Sequence, residues 1–131
     1  MAVLGQPLGL QLLAEIWECD ENKLNDIKYI QEMMIKAAKK ANANIREVAF
    51  HHFDPQGVSG VVVIAESHLT IHTWPELAYA AVDIFTCGEH VDPWVALESI
   101  TQDLNAEDAN VMEISRGMKN LKRLKKKKPV T

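Results

Sequence analysis

Cysteine is scarce: Cys19 and Cys87 are the only two in 131 residues. Two are too few for a disulfide framework, and each is read as a thiol. Long apolar runs are missing as well, none approaching the roughly 20 residues that span a bilayer. The start, MAVLGQPLGLQ, has no charged residue ahead of its apolar ones. Neither a membrane anchor nor an export signal is therefore expected, and the protein is expected in the cytoplasm. There are no internal repeats and no Pro/Gly/Ser-rich linker, which leaves one domain over residues 1–131. What the chain does contain is 47% apolar residues, enough at this length to build a core.

Charge is uneven. Residues 116–131 hold eight of the fourteen Lys and Arg and no acid, so the rest of the chain sets six basic against eighteen acidic residues. The basic tail, 118–131, is read as a solvated end that offsets an acidic body. It has no interleaved aromatics and no recognisable binding module, so no nucleic-acid partner is expected.

Hydrophobic periodicity divides the body into elements. LGLQLLAEIWE (8–18) is apolar with β-compatible residues and reads as a first strand, its leucine content leaving a helix as the alternative. Asp20 is placed to cap a helix in which Leu24, Ile27, Ile30, Met34, Ala37 and Ala41 recur at helical spacing. IREVAFHHF (45–53) and VSGVVVIA (58–65) read as strands joined by the turn DPQG, a hairpin. AYAAVDIFTC (78–87) alternates Val82 and Ile84 with Ala81, Asp83, Phe85 and Cys87. Asp92 and Pro93 open a second helix, with Trp94, Leu97, Ile100 and Leu104 as its expected buried stripe. ANVMEIS (109–115) is a candidate last strand. Helices interrupting hairpin-linked strands predict an α+β two-layer sandwich, a mainly antiparallel sheet with helices on one face. The other face, expected to be largely apolar, calls for a second sheet and so for a homodimer.

The chemistry collects in AESHLTIHTWPE (65–76), where a core strand ends in an acid, a serine and two histidines. Three readings follow from spacing. Ser67 and His72 could be a nucleophile and its base. They face opposite ways in an unbroken strand and would meet only through a bend at 66–69. No G-x-S-x-G elbow accompanies them. His68 and His72 share a face and could bind a metal with Cys87 or His90, although the spacings match no standard zinc pattern. Finally, the Ser67 hydroxyl could attack the carbonyl before it, converting amide to ester, and a nearby base could then remove the serine Cα proton and eliminate.

The motifs FDPQGVSGVVVIAESHLTIHTWPE (53–76) and YAAVDIFTCGE (79–89), with AEIWECD (14–20) and VDPW (91–94), decide among these. Over residues 4–117 the sequence closely resembles the prokaryotic S-adenosylmethionine decarboxylases, small pyruvoyl-dependent enzymes made as self-cleaving proenzymes. The resemblance implies cleavage at Glu66–Ser67 into a β chain, 1–66, and an α chain, 67–131, whose first residue becomes a covalent pyruvoyl group. It implies that His72 takes the proton in processing, that Ser59 supports processing, and that Cys87 returns a proton to the substrate carbon. Phe53, Trp74 and Glu76 would line the pocket for S-adenosylmethionine. No metal is implied. The pyruvoyl ketone, as a Schiff base with the substrate amine, would delocalise the carbanion left by CO₂, and the product would be the aminopropyl donor for spermidine. An (αβ)₂ homodimer is implied, each pocket drawing residues from both protomers. Gln11 stands where relatives often have histidine. Pyruvoyl relatives on this framework can decarboxylate arginine or ornithine instead, and the processing residues are common to both activities.

Overall fold

The computed structural model describes residues 6–65 and 67–118. Glu66 and most of the basic tail lie outside them. Six strands form one antiparallel sheet: β1 (Gly9–Trp17), β2 (Ile45–His52), β3 (Val58–Ile64), β4 (Ser67–Trp74), β5 (Tyr79–Cys87) and β6 (Asp108–Arg116), in spatial order β2-β3-β4-β5-β1-β6. The expected hairpin is β2–β3, with His51 opposite Ser59 and Phe50 opposite Gly60. Only glycine fits at position 60, because a Cβ there would sit 1.9 Å from the Phe50 ring. The Phe50 side chain instead lies flat over the strand.

The helices stack on one face, α2 (Ile27–Lys40) against β2 and β3, and α3 (Pro93–Asp103) against β5 and β1. Leu12, Ile16, Val62, Leu69, Ile71 and Ile84 from the sheet meet Ile30, Met34, Ile100 and Leu104 from the helical layer, all essentially inaccessible. This is the two-layer α+β sandwich that the strand and helix patterns predict. No helix among the described residues is long and apolar enough to cross a membrane.

Two expectations about the helices need correction. The single helix expected from residue 21 is two, a one-turn α1 (Glu21–Leu24) and then α2. Asp20 accepts from the amides of Asn22 and Lys23, and Asp26 accepts again from Tyr29. Two capping aspartates six residues apart start two helices, and Asn25 closes the first. Trp94 is not in the buried stripe of α3 but 44% exposed. At 100° per residue it lies roughly a quarter-turn off the line of Ala96, Leu97, Ile100 and Leu104.

The uncovered face differs from expectation in composition. Leu13, Trp17, Val61, Val63, Trp74 and Phe85 line it, but so do Gln11, Ser59, His68, His72 and Asp83. Strict alternation along β1, β3, β4 and β5 sends their aliphatic partners to the core and leaves this polar set on the open side.

Candidate active site

The site begins where β3 ends. Ile64 and Ser67 are the last partners of the β3–β4 ladder, so Ala65 and residue 66 alone connect the strands. The Ala65 amide donates to the Asn44 carbonyl at 3.0 Å, tying the turn to the start of β2. Ladder partners share a face. Ile64 is buried beneath the helices, so Ser67 also points to that side. Its Oγ is buried with no hydrogen-bond partner among the described residues. A buried hydroxyl ordinarily finds one.

His72 lies on the opposite face. It pairs with Ser59 across the ladder, and Ser59 Oγ and His72 Nδ1 are 2.7 Å apart. No bend over 67–69 brings Ser67 and His72 together. β4 runs unbroken from Ser67 to Trp74, held by regular ladders to β3 and β5, and the chain turns before the serine rather than after it. Five residues at about 3.3 Å each separate Ser67 from His72, so the two do not meet within one chain.

Cys87 ends β5 opposite Gly9, on the open face. His72 is opposite Ala81 on that strand, six residues or roughly 20 Å from Cys87. Ser67 and Cys87 thus sit at one end of the sheet and Ser59 and His72 at the other. The remaining expected residues join the His72 end. Phe53 is exposed just beyond β2, its amide donating to the Gly57 carbonyl at 2.8 Å. Trp74 closes β4, and Glu76 is exposed in the 3₁₀ turn Pro75–Leu77 that follows. His68 and His72 share a face, yet no three metal-ligating side chains converge among the described residues.

Several supporting residues are given no role by the sequence. The Tyr79 ring stacks between Trp17 at 4.2 Å and Trp74 at 5.2 Å, and its hydroxyl donates to the Glu15 carboxylate. Burial, then the Glu15 carboxylate, push the phenol up to about 12, so it stays a neutral donor. Thr73 is 6% exposed. Its Oγ1 donates to the Leu24 carbonyl at 2.8 Å and accepts from the Val58 amide at 2.9 Å, anchoring the strand beside His72. A threonine on the core-facing side of an otherwise aliphatic alternation is the signal that could have flagged it. Asp83 and Gln11 bond across β5 and β1 at 2.8 Å. Neither stands out without the register.

Comparison with known proteins places these features in a lineage. The family model described as S-adenosylmethionine decarboxylase matches residues 10–117. A protein of Moorella thermoacetica named S-adenosylmethionine decarboxylase proenzyme is 60% identical over 111 residues, 85% of this chain and 89% of its own. One of the same name from Clostridium tetani is 59% identical, covering 85% and 88%. The crystal structure of the adenosylmethionine decarboxylase from Aquifex aeolicus superposes with a TM-score of 0.82 at 32% identity, covering 92% of this chain and 99% of that one.

Proposed function

Because this chain belongs to the S-adenosylmethionine decarboxylase family, we propose that it cuts itself at Glu66–Ser67 and then decarboxylates S-adenosylmethionine, yielding the aminopropyl donor for spermidine. The observation that carries this reading is Ser67 Oγ, buried at a tight turn without a hydrogen-bond partner among the described residues. An oriented hydroxyl that donates to no neighbour is available to attack the carbonyl before it, breaking the peptide C–N bond as the ester C–O bond forms. His72 then takes the Ser67 Cα proton, and the residue 66 carboxylate leaves. The dehydroalanine left at 67 tautomerises to an imine, and water adds to its carbon and supplies the ketone oxygen as the serine nitrogen departs as ammonia, so that the two fragments, 1–66 and 67–131, remain as β and α chains.

The residues fit a pyruvoyl group at position 67, since it would be made from this serine with water alone and no diffusible cofactor. That group supplies the electron sink for the carbanion left when CO₂ departs. Cys87 holds the proton returned to the substrate carbon. Trp74 and Phe53 offer aromatic surface to the adenine, and Glu76 a carboxylate to the ribose hydroxyls.

The two ends of the sheet argue for a second copy. A two-fold axis through the middle of the open face would bring the Ser59–His72 pair of one protomer over Cys87 of the other, at the end of the sheet where β4 begins with residue 67. It would also remove Leu13, Trp17, Val63 and Trp74 from water, at roughly 1.5–3 kcal/mol for each large side chain fully buried. We therefore read the active species as an (αβ)₂ homodimer.

The test has two parts. Purified protein should split into fragments of 66 and 65 residues, the second without a free amine, while Ser67→Ala stays whole by mass spectrometry. Incubation with carboxyl-labelled S-adenosylmethionine, arginine and ornithine should release CO₂ from the first alone. Release from either amino acid would shift the assignment to the arginine or ornithine activity.

A further inference from the structure

Cutting the chain before residue 67 creates a problem that intact β4 does not have. The turn that held Ser67 against Ile64 is gone, and the residue bearing the reactive group becomes the first of its chain. New chain ends fray unless something ties them down. The serine hydroxyl cannot, since its oxygen leaves with the residue 66 carboxylate. The next residue is different. His68 Nε2 lies 3.4 Å from Asp83 Oδ2. Asp83 Oδ1 accepts from Gln11 Nε2 at 2.8 Å, and Gln11 Oε1 accepts in turn from Arg116. The Arg116 guanidinium lies 5.5 Å from the centre of the Phe85 ring, against which His68 packs at 5.8 Å.

These contacts cross four strands, β6, β1, β5 and β4, and all lie on the open face. Their register sets His68 directly opposite Phe85 and Thr70 opposite Asp83. Asp83 and Cys87 are on the same face of the same strand, four residues apart. The strand that holds the proton donor therefore also holds the anchor for the residue next to the reactive group. We infer that Asp83 is a positioning residue: through His68, and backed by Gln11 and Arg116, it pins the new chain end so that the group at 67 keeps its distance and angle to Cys87. This rests on the self-cleaving decarboxylase reading and adds the device that keeps the cut end in place.

The role separates turnover from maturation. Before the cut, the turn itself holds Ser67, so Asp83→Asn should split at a rate close to wild type. After the cut, loss of the carboxylate charge should free the end. Amide hydrogen exchange over residues 68–74 of the processed protein should then rise. Decarboxylation kcat should fall about tenfold or more with KM little changed, since a displacement near 1 Å can cost up to about a hundredfold. His68→Gln, which keeps a donor for Asp83, should retain more protection and more kcat than His68→Leu. That pair gives the answer even where Asp83→Asn fails to fold. A wild-type chain that stays intact overturns the decarboxylase reading itself. A wild-type chain that splits and turns over, with Asp83→Asn matching it in exchange and in kcat, overturns the positioning role alone. So does a His68→Leu variant indistinguishable from His68→Gln.

Discussion

Ser59 and His72 show how one hydrogen bond constrains chemistry. In the tautomer whose Nδ1–H donates to the Ser59 hydroxyl oxygen across the 2.7 Å contact, Nε2 carries the lone pair that can receive a proton. His72→Ala should slow fragment formation by about 10²–10⁴-fold, the usual worth of a positioned base. The stalled chain should contain ester, so hydroxylamine should cut it at residue 66 where untreated variant stays whole. A His72→Ala protein that splits at the wild-type rate would assign the proton to another group. Cys19 illustrates the opposite behaviour, a thiol kept inert. Burial pushes it from its ordinary 9.0 up to about 11, and it only donates weakly to the Ile16 carbonyl at 3.7 Å. Its folded value lies above its unfolded one, so its contribution to stability is complete below about 9 and is lost as pH rises towards 11. Urea midpoints should therefore fall over that alkaline window, and Cys19→Ala or Cys19→Ser should flatten the fall.

At the scale of the element, Thr73 does more than its neighbours. It joins β4 to β3 and to α1 through two buried bonds. Thr73→Val keeps the volume but strands the Val58 amide and the Leu24 carbonyl, a loss on the order of 2–4 kcal/mol. Thermal unfolding measures it. An unchanged melting temperature would mean that water reaches both groups. The elements were also where the sequence spoke with uneven clarity. Period-two alternation identifies β5 and even the faces of Asp83, Phe85 and Cys87, whereas β1 and β3 are legible only as short apolar runs. The same alternation separates Ser67 from His72. Only the motif suggested that they belong together, and no local bend reconciles the two. The split between α1 and α2 turned on whether Asp26 or the continuing apolar stripe would win, a competition that spacing does not decide. Trp94 shares the three-residue spacing of Leu97 and Ile100, yet its angle round the first turn of α3 sets it off the buried line. Asp83 and Gln11 could not be paired at all before the β1–β5 register was known.

For the whole molecule the open face is the decisive feature, because the residues proposed for one site lie at both ends of the sheet that carries it. If His72 serves the partner's Ser67, two defective chains should rescue each other. Ser67→Ala supplies an intact His72 and His72→Ala an intact Ser67, so chains co-expressed as heterodimers should split the His72→Ala partner, whereas each alone stays whole. Failure of rescue, with mixed dimers verified by mass, would put the base and the serine in one chain. Light scattering of wild type should give about twice the 14.7 kDa chain mass.

The strand order β2-β3-β4-β5-β1-β6 has one more consequence once the link at 66 is cut. The first fragment owns β1, β2 and β3 and the second owns β4, β5 and β6, so ownership along the sheet alternates, with β1 of one piece wedged between β5 and β6 of the other. Neither piece can leave without breaking ladders on both sides of β1 and between β3 and β4. The cut is thus silent while the fold persists and becomes a one-way ratchet when it is lost. A precursor refolds as a single chain, but the mature protein must reassemble two interlocked halves in a concentration-dependent encounter. Maturation converts an equilibrium fold into one that survives by the slowness of its unfolding.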